Sequence, residues 1–296
     1  MTTIKMLIKR HVVLTYYIVV FTISWGGLLI LAGPGGVRGT AAQVEALFPF
    51  MLVVLFAGPS IAGPLLTMLV DGRAGLRDLW ARLLRWQVGM RWYAVALLFA
   101  PFLVTAVLLV LSLFSPAYLP GILGSSNKLS LLLFGIAWGL LGGGFLEELG
   151  WTGFAVPKLR VHYSAVTTAL IVGILWGVWH ILIAFWSSGG LAGGGSLAIF
   201  VAGFLAFYLG ALPAYRLLMV WVYDRTLSLP VTMLMHATLS ASTLILQPTA
   251  TGVPYLTWNL VLAVALWVVV ATVAVVHRGQ SVRRPQYQPM RMASNR

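Results

Sequence analysis

The sequence predicts an all-α, polytopic transmembrane helical bundle of about eight spans, and three observations carry that expectation. Of the 296 residues, 60% are hydrophobic and 8% charged, with a mean hydropathy of +0.96; a soluble domain carries roughly 25% charged residues. The only acids are Glu45, Asp71, Asp78, Glu147, Glu148 and Asp224, too few to cover a surface facing water. Eight apolar runs, near 12–32, 46–70, 92–115, 129–152, 164–186, 196–215, 218–247 and 256–277, each reach the ~20 residues needed to cross ~30 Å of hydrocarbon. Finally, an even number of spans puts both termini on one face, and all 19 lysines and arginines except Arg38 and Lys128 then fall on that face. Such a bias marks the cytoplasmic side, so an integral membrane protein with both termini cytoplasmic is expected.

Taken in order, the first run follows Lys5, Lys9 and Arg10, as a signal peptide would. Its apolar stretch exceeds the ~7–15 residues of a cleaved segment, so it is predicted to be an uncleaved first span. Asp71–Trp92 reads as an amphipathic helix on the cytoplasmic surface, with Leu76, Leu79, Leu83 and Trp86 on its apolar side and arginines opposite. Gly189–Gly195 reads as a short external loop. Between residues 215 and 230, Arg216, Asp224 and Arg225 interrupt the hydropathy; the sixth helix either ends near 215 or runs on to about Tyr223. Residues 1–278 form the bundle, and 279–296, with Pro285 and Pro289, a basic disordered cytoplasmic tail.

The formal charge of +13 is placed between and beyond apolar runs, so the partners it implies are membrane lipids and no nucleic acid. Zero cysteines exclude disulfides, thiol catalysis and cysteine-ligated metals. The absence of an internal repeat disfavours the inverted-repeat transporter folds.

Ionisable groups inside a span are costly and point to function. Glu147 and Glu148 lie in the fourth run, His180 in the fifth and His236 in the seventh. Adjacent helical residues point about 100° apart, so one carboxylate faces a site while its neighbour serves another helix. Two adjacent buried carboxylates also require a counter-charge. Gly142, Gly143 and Gly144 just upstream admit close approach of another helix. His236, Ser240 and Thr243 form a polar stripe. A lone buried histidine is ordinarily a hydrogen-bonded core residue, and a polar stripe can be interhelical glue. Glu, His and His on three helices of one bundle can instead be zinc ligands, or a general base with electrophilic partners.

The motifs Glu147-Glu148-Leu-Gly-Trp-Thr152, Trp176-Gly-Val-Trp-His180 and His236-Ala-Thr-Leu-Ser240 resemble those of the CPBP family of intramembrane proteases, the CAAX-protease and bacteriocin-processing (Abi) group. The resemblance extends over about residues 48–247. Two positions depart from the family pattern: Thr152 stands in place of an Arg and Ser240 in place of an Asn. The first removes a charge partner for one carboxylate, for which Arg160 is the candidate replacement.

The resemblance implies an intramembrane endopeptidase acting on membrane-associated or lipidated proteins or peptides. Glu147 with His180 would activate water, His236 with Ser240 would stabilise the oxyanion, and Glu148 would orient its neighbours. In a second version Glu148, His180 and His236 bind Zn2+, which activates the water; no compact His-Glu-x-x-His accompanies it. Counting ~1.5 Å per residue, Glu147 and His236 fall in the cytoplasmic half of their spans and His180 past the middle of its own. The short loops and Abi-like motifs suggest a bacterial cytoplasmic membrane. A catalytically impaired relative acting as an immunity or interaction scaffold, and a proton-coupled transporter, are the alternatives. Substrate identity, metal dependence and oligomeric state are not legible in the chain.

Overall fold

The computed structural model describes residues 3–33, 40–188, 196–248 and 251–277, all helix and connecting turns. Arg38, the Gly189–Gly195 loop and the tail from 279 lie outside the described residues. Among the described residues eight helices are long and apolar enough to span a membrane: α1 (Val12–Ala32), α2 (Ala42–Leu83), α3 (Met90–Ser112), α4 (Lys128–Arg160), α5 (Ala165–Ser187), α6 (Leu197–Thr226), α7 (Leu229–Leu246) and α8 (Val253–Val276). The expected eight-span bundle is what forms. α7 is its central element, packed against α3, α4 and α6, with the largest buried share of the eight.

Three expected boundaries change. α2 continues past residue 70 to Leu83, turning at Gly72, whose φ of 67° breaks the helical path. The expected surface helix over 71–92 is therefore the last part of α2, and Trp86 lies outside it in the link to Met90. Its inward face carries Leu79 and also Arg82, which donates to the Tyr223 hydroxyl at 2.7 Å and to the Gly153 carbonyl at 3.1 Å. α4 extends through Pro157 to Arg160, because proline begins a new helical segment there and its missing N–H costs nothing in a first turn.

The third change matters most for the site. α6 runs to Thr226, stops at Leu227 in the left-handed region (φ 50°), and α7 begins at once. Ser228 caps it, its hydroxyl accepting from Val231 N, and Pro230 occupies the first turn. Arg216, assigned by hydropathy to a cytoplasmic connection, is thereby placed within α6 and is fully buried.

Close helix contacts follow from missing side chains. A Cβ on Gly143 would come 2.5 Å from Ser240 Oγ and 2.8 Å from His236 Nε2, and one on Gly144 2.9 Å from the Met233 carbonyl. The glycine face of α4 thus lies directly on α7, as expected for a small-residue interface in a membrane.

Candidate active site

Glu147, His180 and the cavity-lining Tyr208 sit where their helices depart from regular α-helical pitch, whereas Trp176 and Arg216 lie in regular helix. Over Gly139–Glu147 and again over Trp151–Ala155, α4 adopts wide π-type turns, separated by a break at Leu149–Gly150. α5 breaks for one residue at His180. α6 widens over Leu205–Ala211. Such wide turns frequently mark functional sites. The break in α5 has a tertiary partner: the Trp25 indole of α1 donates to the Trp179 carbonyl at 3.0 Å.

The two adjacent carboxylates occupy different environments on opposite sides of one imidazole. Glu148 is fully buried and forms a bidentate pair with Arg216, with guanidinium nitrogens at 2.9 Å from each of its oxygens. His236 Nδ1 is 2.7 Å from Glu148 Oε1. An oxygen shared with a guanidinium is an acceptor, so Nδ1 carries the hydrogen. Thr152 Oγ1 donates a short hydrogen bond to Oε2, and the Arg216 guanidinium stacks 4.4 Å from the Trp176 ring. This is the fork-to-fork geometry in which a buried ion pair recovers its desolvation cost.

Glu147, by contrast, is held at one oxygen only. Oε2 accepts from the indoles of Trp176 at 2.7 Å and Trp151 at 3.0 Å. Oε1 lies 4.0 Å from His236 Nε2, too far for a direct hydrogen bond but suited to an oxygen bridging the two.

His180 Nδ1 is 2.8 Å from the Trp176 carbonyl, so its hydrogen is on Nδ1 and its Nε2 is a free acceptor. Trp176 packs against both histidines. Its ring lies 4.7 Å from His236 and 6.1 Å from His180, one aromatic layer separating the two histidines. Glu147, His180, His236, Ser240 and Gly143 all line one cavity of about 250 Å³, bounded by Phe48, Phe56, Trp138 and Tyr208 among others. Glu148 is not part of that lining. Four of the five expected site residues therefore meet at a common space, and Glu148 backs it from behind.

The expected zinc set of Glu148, His180 and His236 does not fit this arrangement. Both oxygens of Glu148 are taken by Arg216, Thr152 and His236. His236 already uses Nδ1 on Glu148, and its Nε2 faces Glu147 instead of His180. Among the described residues no group of three or more His, Asp or Glu side chains is arranged to hold a metal ion.

The charge partner expected from Arg160 is also supplied elsewhere. Arg160 pairs with Asp224 at 2.8 Å and donates to the Tyr163 carbonyl, away from Glu148. Arg216 fills the role, reaching to 3.4 Å from the Thr152 hydroxyl, so a guanidinium from α6 stands beside the residue where the family pattern has an arginine in α4. The sequence held one signal for it: Arg216 is flanked on both sides by apolar residues, in ALPAYRLLMVWVY.

Residues 128–242 match the family model described as type II CAAX prenyl endopeptidase Rce1-like, an interval that contains every site residue named above except the cavity-wall Phe48 and Phe56. A protein named CAAX prenyl protease 2, from Methanococcus maripaludis, is 41% identical over 39 residues, 13% of this chain and 14% of that protein. The aligned stretch thus covers about one seventh of that relative's length.

Proposed function

We propose that this chain, Rce1-like over residues 128–242, is an intramembrane endopeptidase of the CAAX-protease kind. In this reading it hydrolyses peptide bonds of membrane-associated or lipidated substrates through a water activated by Glu147. The observation that carries it is the division of labour between the two carboxylates. Glu148 is neutralised and immobilised by Arg216, whereas Glu147 is oriented by two indoles with its second oxygen left open to a cavity shared with His180, His236 and Ser240.

A water between Glu147 Oε1 and the cavity gives its proton to Glu147 as its oxygen attacks the scissile carbonyl carbon. His180 Nε2, a free acceptor, holds the second hydrogen of that water and so aims a lone pair at the carbonyl. The oxyanion forms opposite Glu147, where His236 Nε2, when protonated, and Ser240 Oγ donate to it. Before the attack two carboxylates balance one guanidinium and one imidazolium, and after it the oxyanion replaces the charge of Glu147, so the buried cluster stays neutral overall. Collapse of the tetrahedral intermediate breaks the C–N bond, and Glu147 returns its proton to the leaving amine. Glu148 and Arg216 position His236 through its Nδ1–H and take no part in proton transfer. In this reading the departure at Thr152 leaves the machinery complete, because Arg216 supplies the charge. With termini assigned to the cytoplasmic face by charge, Glu147 lies nearer that face.

The test compares new peptide termini in host membranes expressing wild type or Glu147→Gln at equal levels. Termini that appear only with wild type are expected and would name the substrates. Identical profiles would overturn the proposal.

A further inference from the structure

Beyond the Glu–His cluster, the same cavity has a second polar wall, contributed by α8, outside the Rce1-like interval. Asn259 lines the cavity and is 1% exposed, and among the described residues its amide nitrogen has no hydrogen-bond partner. Tyr255, one turn away on α8, and Gln247, just beyond the end of α7, border the same space. An asparagine inside a membrane helix is ordinarily interhelical glue, bonded to a neighbouring helix. Here it is bonded to none, and a buried unpaired amide is a standing cost that calls for a reason.

Counted along α7 and α8 from the loop joining them, at ~1.5 Å per residue, Asn259 and His236 differ in depth by about 6 Å. Both line the one cavity, at different depths. A carboxamide offers one acceptor and two donors, the complement of a peptide group's N–H and C=O. An ionic ligand would instead call for a charged side chain, and among the described residues no charged side chain other than Glu147 and the histidines of the site lines the cavity.

We infer that Asn259 forms a subsite that binds a main-chain amide of the substrate away from the scissile bond. The inference rests on the endopeptidase reading above and deepens it. It explains why an apolar residue does not occupy the position: a peptide main chain lying in the cavity pairs the amide. The binding specificity it confers is for extended main chain, whatever side chains the peptide carries.

The test uses the full chain in three forms: wild type, Glu147→Gln and Asn259→Leu. Asn259→Leu fills a similar volume without the polar group, so its melting temperature is expected to equal or exceed that of wild type. A lower melting temperature would show that Asn259 holds the fold, and would overturn the inference. In membranes, wild-type-dependent termini should fall about tenfold with Asn259→Leu. Termini that persist at full yield would overturn the subsite alone, whereas identical profiles for wild type and Glu147→Gln would overturn the endopeptidase reading and the subsite with it. On a synthetic peptide copied from a substrate so identified, N-methylation is then moved through the residues within three of the scissile bond. One position should raise KM about tenfold for wild type and add nothing for Asn259→Leu. The absence of any such position would overturn main-chain recognition.

Discussion

The two sides of His236 differ in one respect that organises the rest of the site. On the Nδ1 side every polar atom of Glu148 is paired, to Arg216, Thr152 and the imidazole itself, and the carboxylate is sealed from the cavity. On the Nε2 side Glu147 keeps one oxygen 4.0 Å away and open. Glu147 and Glu148 are neighbours in sequence and within reach of the same ring, so their different roles come from neighbours on α5 and α6. A saturated carboxylate positions a group; a half-saturated one at a cavity edge can accept a proton.

Substitutions can break this contrast, and the largest effect is expected at Glu147. Glu147→Gln should lower the rate of peptide-bond cleavage by about 10²–10⁴, the usual worth of a general base, measured as wild-type-dependent termini. Arg216→Met comes next. It leaves Glu148 buried without its counter-charge and should destabilise the protein by about 3–5 kcal/mol, read by thermal unfolding in detergent. Thr152→Arg in that background places a guanidinium four residues from Glu148 on the same helix and should recover part of the loss. A double variant no more stable than Arg216→Met would show that the charge cannot be relocated between α6 and α4.

Smaller effects sharpen the open side. Ser240→Ala removes one oxyanion donor and should cost about a hundredfold in turnover, with Ser240→Asn closer to wild type. Trp176→Phe keeps the aromatic layer between the histidines but deletes the 2.7 Å bond to Glu147. A hydrogen bond to a charged group is worth ~1.5 kcal/mol or more, so turnover should fall about tenfold while KM stays near its wild-type value. A change in KM alone would place Trp176 in substrate binding instead.

Much of this was legible in the chain. The eight spans follow from apolar runs so long that no soluble fold could bury them, and Glu147, His180, His236 and Ser240 stood out because polar groups are costly at those depths. What escaped was decided by tertiary contacts. Arg216 resembled a topology signal because a lone arginine near a hydropathy minimum has the same appearance whether it faces water or a buried carboxylate. The break at His180 has a distant partner: the hold of Trp25 on the Trp179 carbonyl comes from a helix 154 residues away. The zinc set followed from residue types and the family resemblance, neither of which registers that Glu148 is paired with Arg216. The asparagine of α8 drew no attention because nothing in its sequence neighbourhood shows that it lacks a partner.

The most direct test of the contrast compares the melting of Glu147→Gln with that of Glu148→Gln, side by side with wild type. Both indoles donate to a single oxygen of Glu147, so a glutamine carbonyl can accept both, and Glu147→Gln should melt within a few degrees of wild type. Both oxygens of Glu148 accept from Arg216, so an amide nitrogen at either position opposes a donor and leaves the guanidinium without its balancing charge; Glu148→Gln should melt far lower. Equal losses, or the reverse order, would contradict the division between a positioning and a reactive carboxylate.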